Sequence, residues 1–488
     1  MAHISIKKAA AITAVSKYIN IFLGIFFSAI LSRILTPHDY GIVAIVTVFT
    51  AFFLVLSNIG FGIAVIQNKD FGEKEINSLF TFSVYAGLAL SGIFILLAYP
   101  IALFYGNKIY IPICLVLSIS IFFNTINAVP DGLLRKDKKF FLIALRLIIV
   151  SLLTYGFTII LALLNFKYYA LVFQSIISSV LIFAWNLRNV KVRFIKNPDK
   201  SVLKRIRGYS GYQFLFNFVN YFSRNLDKLI IGKILGNEEL AQYNKAYHFM
   251  LYPVQNLTNV ITPVLHPILS DYQNDKNFIY QKYLKILKLL SLIGVFVMPL
   301  CFCCAREIIL IIYGPQWDSA VICFKFLTLA IWTQMIQGTS SSIFTVLGDT
   351  KRMFYTCCIN TVLVIIGLCT GFLTKSIISI SFAIMITLNL QFFVTFTILI
   401  SITIKQNFFN FIRNFLPDIL IIAILFASSF ALNKIQITAN LLVSFIIKGG
   451  ALFAVYLIFI LLFKQIQYFL PILPGKIKNK FLKKSKTN

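Results

Sequence analysis

Acidic residues are scarce in this chain: Asp and Glu together number 16 among 488 residues, and His and Trp number four and three. Hydrolytic, transfer and metal-assisted chemistry draws on carboxylates and imidazoles held close together, so the shortage argues against an enzyme. No GxSxG, HExxH or phosphate-binding Gly-rich loop occurs, and no carboxylates are paired on one helix face. Charged residues of all kinds make up 12%, about half the share of a water-soluble domain. Hydrophobic residues make up 59% and the mean hydropathy is +0.86, so the apolar surplus must face lipid. Short segments of alternating polarity, the mark of a membrane barrel, are missing. Long loops are missing too: the longest, 188–210, leaves no room for an extramembrane catalytic or nucleic-acid-reading domain.

What the chain does have is a succession of apolar runs near the length of about 20 residues that crosses a hydrocarbon core as a helix. They fall at 10–34, 41–66, 79–104, 111–130, 141–164, 168–187, 211–232, 241–267, 286–304, 320–346, 354–373, 377–402, 418–433 and 441–463. The reading is an all-α integral membrane protein of about 14 transmembrane helices. Lys7 and Lys8 precede a run too long for a signal-peptide core and without a small-residue cleavage site, so the first helix is expected to stay as an anchor. Most of the 45 Lys and Arg residues lie at the N-terminus, in the tail from 464 and in the loops near 68–77, 131–140, 188–210, 271–288, 348–353 and 404–417. The intervening loops hold Arg33, Lys108, Lys167, Lys233, Lys375 and Lys434. The positive-inside rule then places both termini and the basic loops in the cytoplasm, as an even number of spans requires. Such a basic face should attract anionic lipid headgroups, and nucleic acid is the poorer reading of the net charge of +29. Of the eight cysteines, Cys301, Cys303, Cys304, Cys357, Cys358 and Cys369 sit in apolar context and are expected to pack rather than to bind metal.

The loop 188–210 divides the first twelve runs into two sets of six. Arg33-Ile34-Leu35 closes the first run ahead of Asp39, and Lys233-Ile234-Leu235 closes the seventh ahead of Glu238 and Glu239, which suggests a duplicated six-helix unit. The expected architecture is an N-terminal six-helix lobe at 1–200, a second at 201–403, and an additional helix pair with a basic tail at 404–488.

Four runs carry polar residues at steps of three and four, which stack on one helical face. The first has Lys17, Asn20, Gly24 and Ser28; the seventh has Gln213, Asn217, Asn220, Arg224, Asp227 and Lys228. The eighth has His248, Tyr252, Gln255, Asn259, Thr262 and His266, and the tenth Gln334, Gln337, Ser341 and Thr345. Joined, these faces would line a hydrophilic, cationic cavity whose candidate substrate-binding residues are Lys17, Asn20, Arg146, Asn217, Asn220, Arg224, Lys228, Gln255 and Asn259. The alternative for the Ser, Thr, Asn and Gln members is hydrogen bonding between packed helices. A basic residue at mid-helix costs about 2.5–3.5 kcal/mol on insertion scales and suits a water-filled cavity better than a packing role. Arg224 and Asp227 are spaced to pair on one face; the other reading of Asp227 is an ion-coupling carboxylate. Pro253, Pro263 and Pro267 permit bends in the eighth run.

Several stretches together resemble a known family. Leu31-Ser-Arg-Ile-Leu-Thr-Pro-His-Asp-Tyr-Gly41, Asn58-Ile-Gly-Phe-Gly62 and Ile66-Gln-Asn-Lys-Asp70 are similar to the N-terminal signature of bacterial polysaccharide exporters, the Wzx-type flippases. Asn225-Leu-Asp-Lys-Leu-Ile-Ile-Gly-Lys-Ile-Leu-Gly236, Tyr243-Asn-Lys-Ala-Tyr247 and Tyr313-Gly-Pro-Gln-Trp317 resemble later segments of the same family. The resemblance implies the multidrug/oligosaccharidyl-lipid/polysaccharide exporter fold, two six-helix lobes around a central cavity with two further C-terminal helices, in a bacterial inner membrane. It implies a flippase for undecaprenyl-diphosphate-linked repeat units of O-antigen, capsule or exopolysaccharide, working by alternating access. No cofactor is expected beyond coupling to a Na+ or H+ gradient, and the partners implied are the lipid-linked oligosaccharide, membrane lipids, and a polysaccharide polymerase with its chain-length regulator. The rival readings are a cation-coupled multidrug exporter, a peptidoglycan-precursor flippase of the same fold, and a membrane polymerase, against which the short loops argue.

Overall fold

The computed structural model describes residues 6–57, 60–68, 70–206, 211–270, 272–273, 275–434 and 440–468. The described residues are helical with short connections, as hydrocarbon demands, because every backbone donor in a spanning segment must find its acceptor within that segment. The chain divides into two units, Met1–Asn244 with Ile312–Trp317, and Lys245–Ile311 with Asp318–Asn488. The first contains α1 (Ile6–Ile34), α2 (Pro37–Ser57), α3 (Phe61–Gln67), α4 (Glu73–Tyr105), α5 (Tyr110–Ile126), α6 (Ala128–Lys136), α7 (Phe140–Leu163), α8 (Tyr168–Asn189), α9 (Ser201–Ile206), α10 (Gly211–Ser223) and α11 (Leu226–Ile234). The boundary falls within α12 (Asn237–Ser270). There follow α13 (Lys276–Cys303), α14 (Ala305–Tyr313), α15 (Asp318–Thr328), α16 (Ile331–Gln337), α17 (Ser340–Val346), α18 (Thr350–Gly371), α19 (Ile377–Phe396), α20 (Phe408–Arg413), α21 (Leu416–Lys434) and α22 (Leu441–Leu462).

Each apolar run predicted from the sequence coincides with helix, but several are interrupted. Among the described residues eleven helices are long and apolar enough to cross a membrane, and a twelfth crossing is available if the bent pair Pro315–Thr328 and Ile331–Val346, which turns by 57°, is one span. Length and apolarity alone account for up to twelve crossings among the described residues, short of the 14 expected from the sequence. The seventh run is broken into α10 and α11, each too short alone, and the eighth, α12, is long but carries Gln242, His248, Tyr252 and Gln255. α12 continues through Pro253, Pro263 and Pro267.

In the first unit the second run is divided between α2 and α3, and Gly60, which precedes α3, has φ 121°, a left-handed conformation natural to glycine. The short α3 that follows packs on α6 at a glycine contact: a Cβ on Gly62 would stand 2.9 Å from the Ala128 carbonyl, and one on Gly132 2.8 Å from the Gly62 carbonyl. Around this contact Val65, Phe71, Leu79, Phe80 and Val129 form one buried cluster. Gly41 on α2 allows a second close approach, since a Cβ there would stand 1.9 Å from the carbonyl oxygen of Asn237.

In the second unit α13 packs against α15, α16, α21 and α22. Two ion pairs, the first fully buried and the second partly so, fasten the final helix pair. Lys288 Nζ on α13 lies 2.6 Å from Asp418 Oδ1 on α21 and donates to the Asn414 carbonyl at 2.8 Å. Ser291 Oγ donates to the other Asp418 oxygen and accepts from Trp332 Nε1 at 2.8 Å. Lys448 Nζ on α22 lies 2.6 Å from Glu307 Oε1 on α14, which also accepts from Ser444 Oγ. After α19 the helix widens into a π-helix, Thr397–Ile404, whose last carbonyls accept from Lys276 Nζ and Arg352.

Candidate functional site

The seventh run is where cationic residues gather. α10 ends at Ser223, α11 starts at Leu226, and Arg224 and Asn225 form the turn between them. α10 is held on α2 by aromatic rings: Phe52 meets Phe218, Tyr221 and Phe222 at centroid distances of 5.5, 5.7 and 5.0 Å, and Tyr221 Oη donates to the Val48 carbonyl. α11 is held on α2 by a close packing of Gly232 on Ile45. With its ends fixed, the turn presents Arg224 exposed, its Nε 3.4 Å from Asn220 Oδ1. Asn217 lies on the same helix, half-buried.

Lys228 and Asp227 are turned inward. Lys228 is 9% exposed and donates to Asn225 Oδ1 at 3.1 Å. Asp227, 3% exposed, accepts from Tyr243 Oη at 2.6 Å and from the Lys228 amide at 2.8 Å. Among the described residues no ion pair joins Arg224 to Asp227; the carboxylate is engaged by a tyrosine instead. Tyr243 stood in a motif quoted above, but nothing in its spacing from Asp227 indicated the bond.

The remaining candidates lie elsewhere. Asn20 accepts from Ser151 Oγ on α7 at 2.5 Å, and two turns on, Phe27 stacks on Tyr155, so the polar face of α1 is turned largely toward α7. Lys17 is half-buried one turn before Asn20. Arg146 is buried in a separate network: it donates to Asp131 Oδ1 at 2.8 Å and to Asn186 Oδ1 at 2.6 Å, while Asn186 bonds Asn127 and Asp131 also holds Arg135. Gln255 belongs to the second unit, where it is exposed. The side chains of Gln213, Asn259, Thr262 and His266 lie outside the described residues. On the tenth run Gln334 donates to Gln337 and to the Leu388 carbonyl, and Gln337 to Thr395, so these two join helices as polar membrane residues commonly do. Among the described residues no cluster of His, Cys, Asp or Glu could hold a metal ion, and the cysteines are not joined in disulfides.

Two of the quoted motifs meet in the first unit. Trp317 Nε1 donates to the Ser32 carbonyl at 2.9 Å, Gln316 Nε2 to the Leu35 carbonyl at 3.1 Å, and Arg33 to the Ile312 carbonyl at 2.8 Å. Tyr40 sets its ring edge against Trp317 at 5.4 Å. The short segment Ile312–Trp317 is thereby clamped on the end of α1, and Gly314 at φ 97° makes its turn.

A model of the polysaccharide biosynthesis protein family matches residues 30–322, a stretch that begins and ends close to the two sides of this clamp. The chain belongs to that family. It is similar to the teichuronic acid biosynthesis protein TuaB of Bacillus subtilis (strain 168), with 22% identity over 452 residues, 91% of this chain and 93% of that protein. It is also similar to the lipopolysaccharide biosynthesis protein WzxC of Escherichia coli (strain K12), with 24% identity over 63% of each chain. Among solved structures it matches the lipid II flippase MurJ in an inward closed conformation, with a TM-score of 0.73 at 19% identity, covering 92% of this chain and 98% of that one. The resemblance to bacterial polysaccharide biosynthesis proteins of the Wzx type is borne out by the family match, and the fold is shared with MurJ.

Proposed function

We propose that this member of the family flips undecaprenyl-diphosphate-linked oligosaccharide repeat units from the cytoplasmic to the outer leaflet of a bacterial inner membrane by alternating access. The observation that carries the reading is the exposed Arg224 at the break of the seventh helix, with Asn220 and Asn217 on the same helix. A guanidinium held there suits a diphosphate, to which it can offer two parallel donors, and the amides suit sugar hydroxyls. The multidrug alternative would call for acidic groups to receive cationic drugs, and the carboxylate nearest this turn is already bound by Tyr243. The relatives named for teichuronic acid and lipopolysaccharide biosynthesis favour an oligosaccharide over a peptidoglycan precursor. A polymerase and a chain-length regulator are the expected neighbours in the pathway. Deleting the chain from its host should abolish surface polysaccharide and make lipid-linked repeat units accumulate inside the inner membrane. Unchanged polysaccharide with new drug sensitivity would replace this reading by that of a drug exporter.

The same reading places both termini and the basic loops in the cytoplasm. On a background without native cysteines, Glu238→Cys and Asp318→Cys should react with an impermeant maleimide in intact cells, and Asn197→Cys only after the cells are opened. Labelling of Asn197→Cys in intact cells would invert the topology.

A further inference from the structure

The segment after α8 is strongly basic, yet it is held in one place. Three side chains of α4 secure its backbone: Asn77 Oδ1 accepts from the Arg193 amide at 2.8 Å, Thr81 Oγ1 from the Ile195 amide at 3.0 Å, and Ser78 Oγ from the Asp199 amide at 3.0 Å. All three of these side chains are buried. Along the segment Val190 and Val192 pack into the cluster around Phe71 and Phe80, while Lys191, Arg193, Lys196 and Lys200 point outward and are exposed. A loop that served topology alone would need its charges but not three buried groups to fix its path.

The direction it faces follows from α4. Tyr85, Leu88, Leu96, Tyr99 and Leu103 are exposed and recur at helical spacing, so they form one apolar stripe suited to face lipid. Tyr85 is the member of that stripe nearest the start of the helix. Phe194, itself 51% exposed, sets its ring edge-on to Tyr85 with centroids 5.9 Å apart. The basic segment therefore lies where the lipid-facing stripe ends, at the depth of the headgroups, with an aromatic pair of the kind that anchors membrane interfaces. Beside it lies a cavity of about 480 Å³ lined by Lys191 and by Lys139, which pairs with Asp137 at 3.2 Å, with Glu73 also on its wall.

We propose that this segment, with Lys191, Arg193, Lys196 and Lys200 as donors and Phe194 and Tyr85 as the interfacial anchor, is a binding surface for anionic phospholipid headgroups of the leaflet it borders. The four cations carry the charge that a phosphodiester requires, and the bonds from α4 remove the ordering cost that a loose loop would meet on binding. The inference concerns lipid, not the transported substrate, and stands whether or not the export reading does.

The test is thermal unfolding of the full chain in neutral detergent, titrated with phosphatidylglycerol or with phosphatidylcholine. Phosphatidylglycerol should raise the wild-type Tm by about 3 °C above the phosphatidylcholine value. The variant Lys191→Gln, Arg193→Gln, Lys196→Gln, Lys200→Gln should lose at least half of that shift while keeping its Tm in phosphatidylcholine. Asn77→Ala with Thr81→Ala keeps every charge but releases the segment, and should lose the shift as well. Soluble glycerol phosphate should give no shift. A full phosphatidylglycerol shift in the fourfold variant overturns the proposal, and a full shift in the released variant overturns the part played by the held backbone. Should the fourfold variant not fold, Lys196→Gln and Lys200→Gln are measured singly by counting phosphatidylglycerol molecules retained in native mass spectrometry. An unchanged count in both overturns it equally.

Discussion

Export should fall at least tenfold when Arg224 and Lys228 are both replaced by Ala. A charge-assisted hydrogen bond to a diphosphate is worth about 1.5–3 kcal/mol, so loss of even one reaches a factor of about ten. The two residues are not equivalent. Arg224 is exposed at the helix break, whereas Lys228 is buried and already donates to Asn225, so most of the loss should follow Arg224→Ala alone. Arg224→Lys should retain more export than Arg224→Ala, because it keeps the charge and gives up only the paired donors. Adding Asp227→Ala to Arg224→Ala should not restore export, since Asp227 is held by Tyr243 and the Lys228 amide. The measurement is surface polysaccharide in a complemented deletion strain, with protein amount checked by immunoblot. Normal export by a well-expressed Arg224→Ala, Lys228→Ala protein would remove the diphosphate role from this turn, and rescue by Asp227→Ala would mean that Arg224 serves to neutralise the acid.

The largest expected loss of stability lies far from that turn. Asp418→Ala leaves Lys288 buried without its carboxylate and strips Ser291 of its acceptor, which should cost about 3–5 kcal/mol. Lys288→Met together with Asp418→Leu removes both charges and fills the space, and should recover most of that loss, because desolvating an ion pair offsets much of its attraction. The yield of monodisperse protein in detergent and its melting temperature report both. If the double variant were no better than Asp418→Ala, the pair would be contributing through geometry that an apolar pair cannot supply.

Much of this arrangement was legible in the residues. The apolar runs located the helices because hydrocarbon leaves no other way to satisfy a backbone. Interruptions were harder to see. α2 stops at Ser57, ahead of a turn at Gly60, and Arg224–Asn225 split the seventh run; glycine is common inside membrane helices, and a basic residue fits a cavity-lining helix as well as a break, so neither marks a break by type alone. The polar stripes were visible as stripes, but whether each met water or another helix depended on neighbours remote in sequence. Asn20 finds Ser151, and Gln337 finds Thr395. Arg146 was singled out for its charge, while the Asp131 and Asn186 that bind it lie on other helices. Lys288 and Asp418, 130 positions apart, could be joined only by the fold.

The broken seventh helix also bears on how the chain is made. At 1.5 Å per residue α10 reaches about 20 Å and α11 about 14 Å, so neither half crosses a hydrocarbon core of about 30 Å alone. A nascent segment of this kind has little reason to remain in lipid unless partners are waiting for it. Those partners are Phe52 and Ile45 of α2, and the end of α4, whose Tyr105 donates to the Leu229 carbonyl. All are synthesised earlier. The second and third runs thus offer an intramolecular scaffold on which the two halves of the seventh can seat.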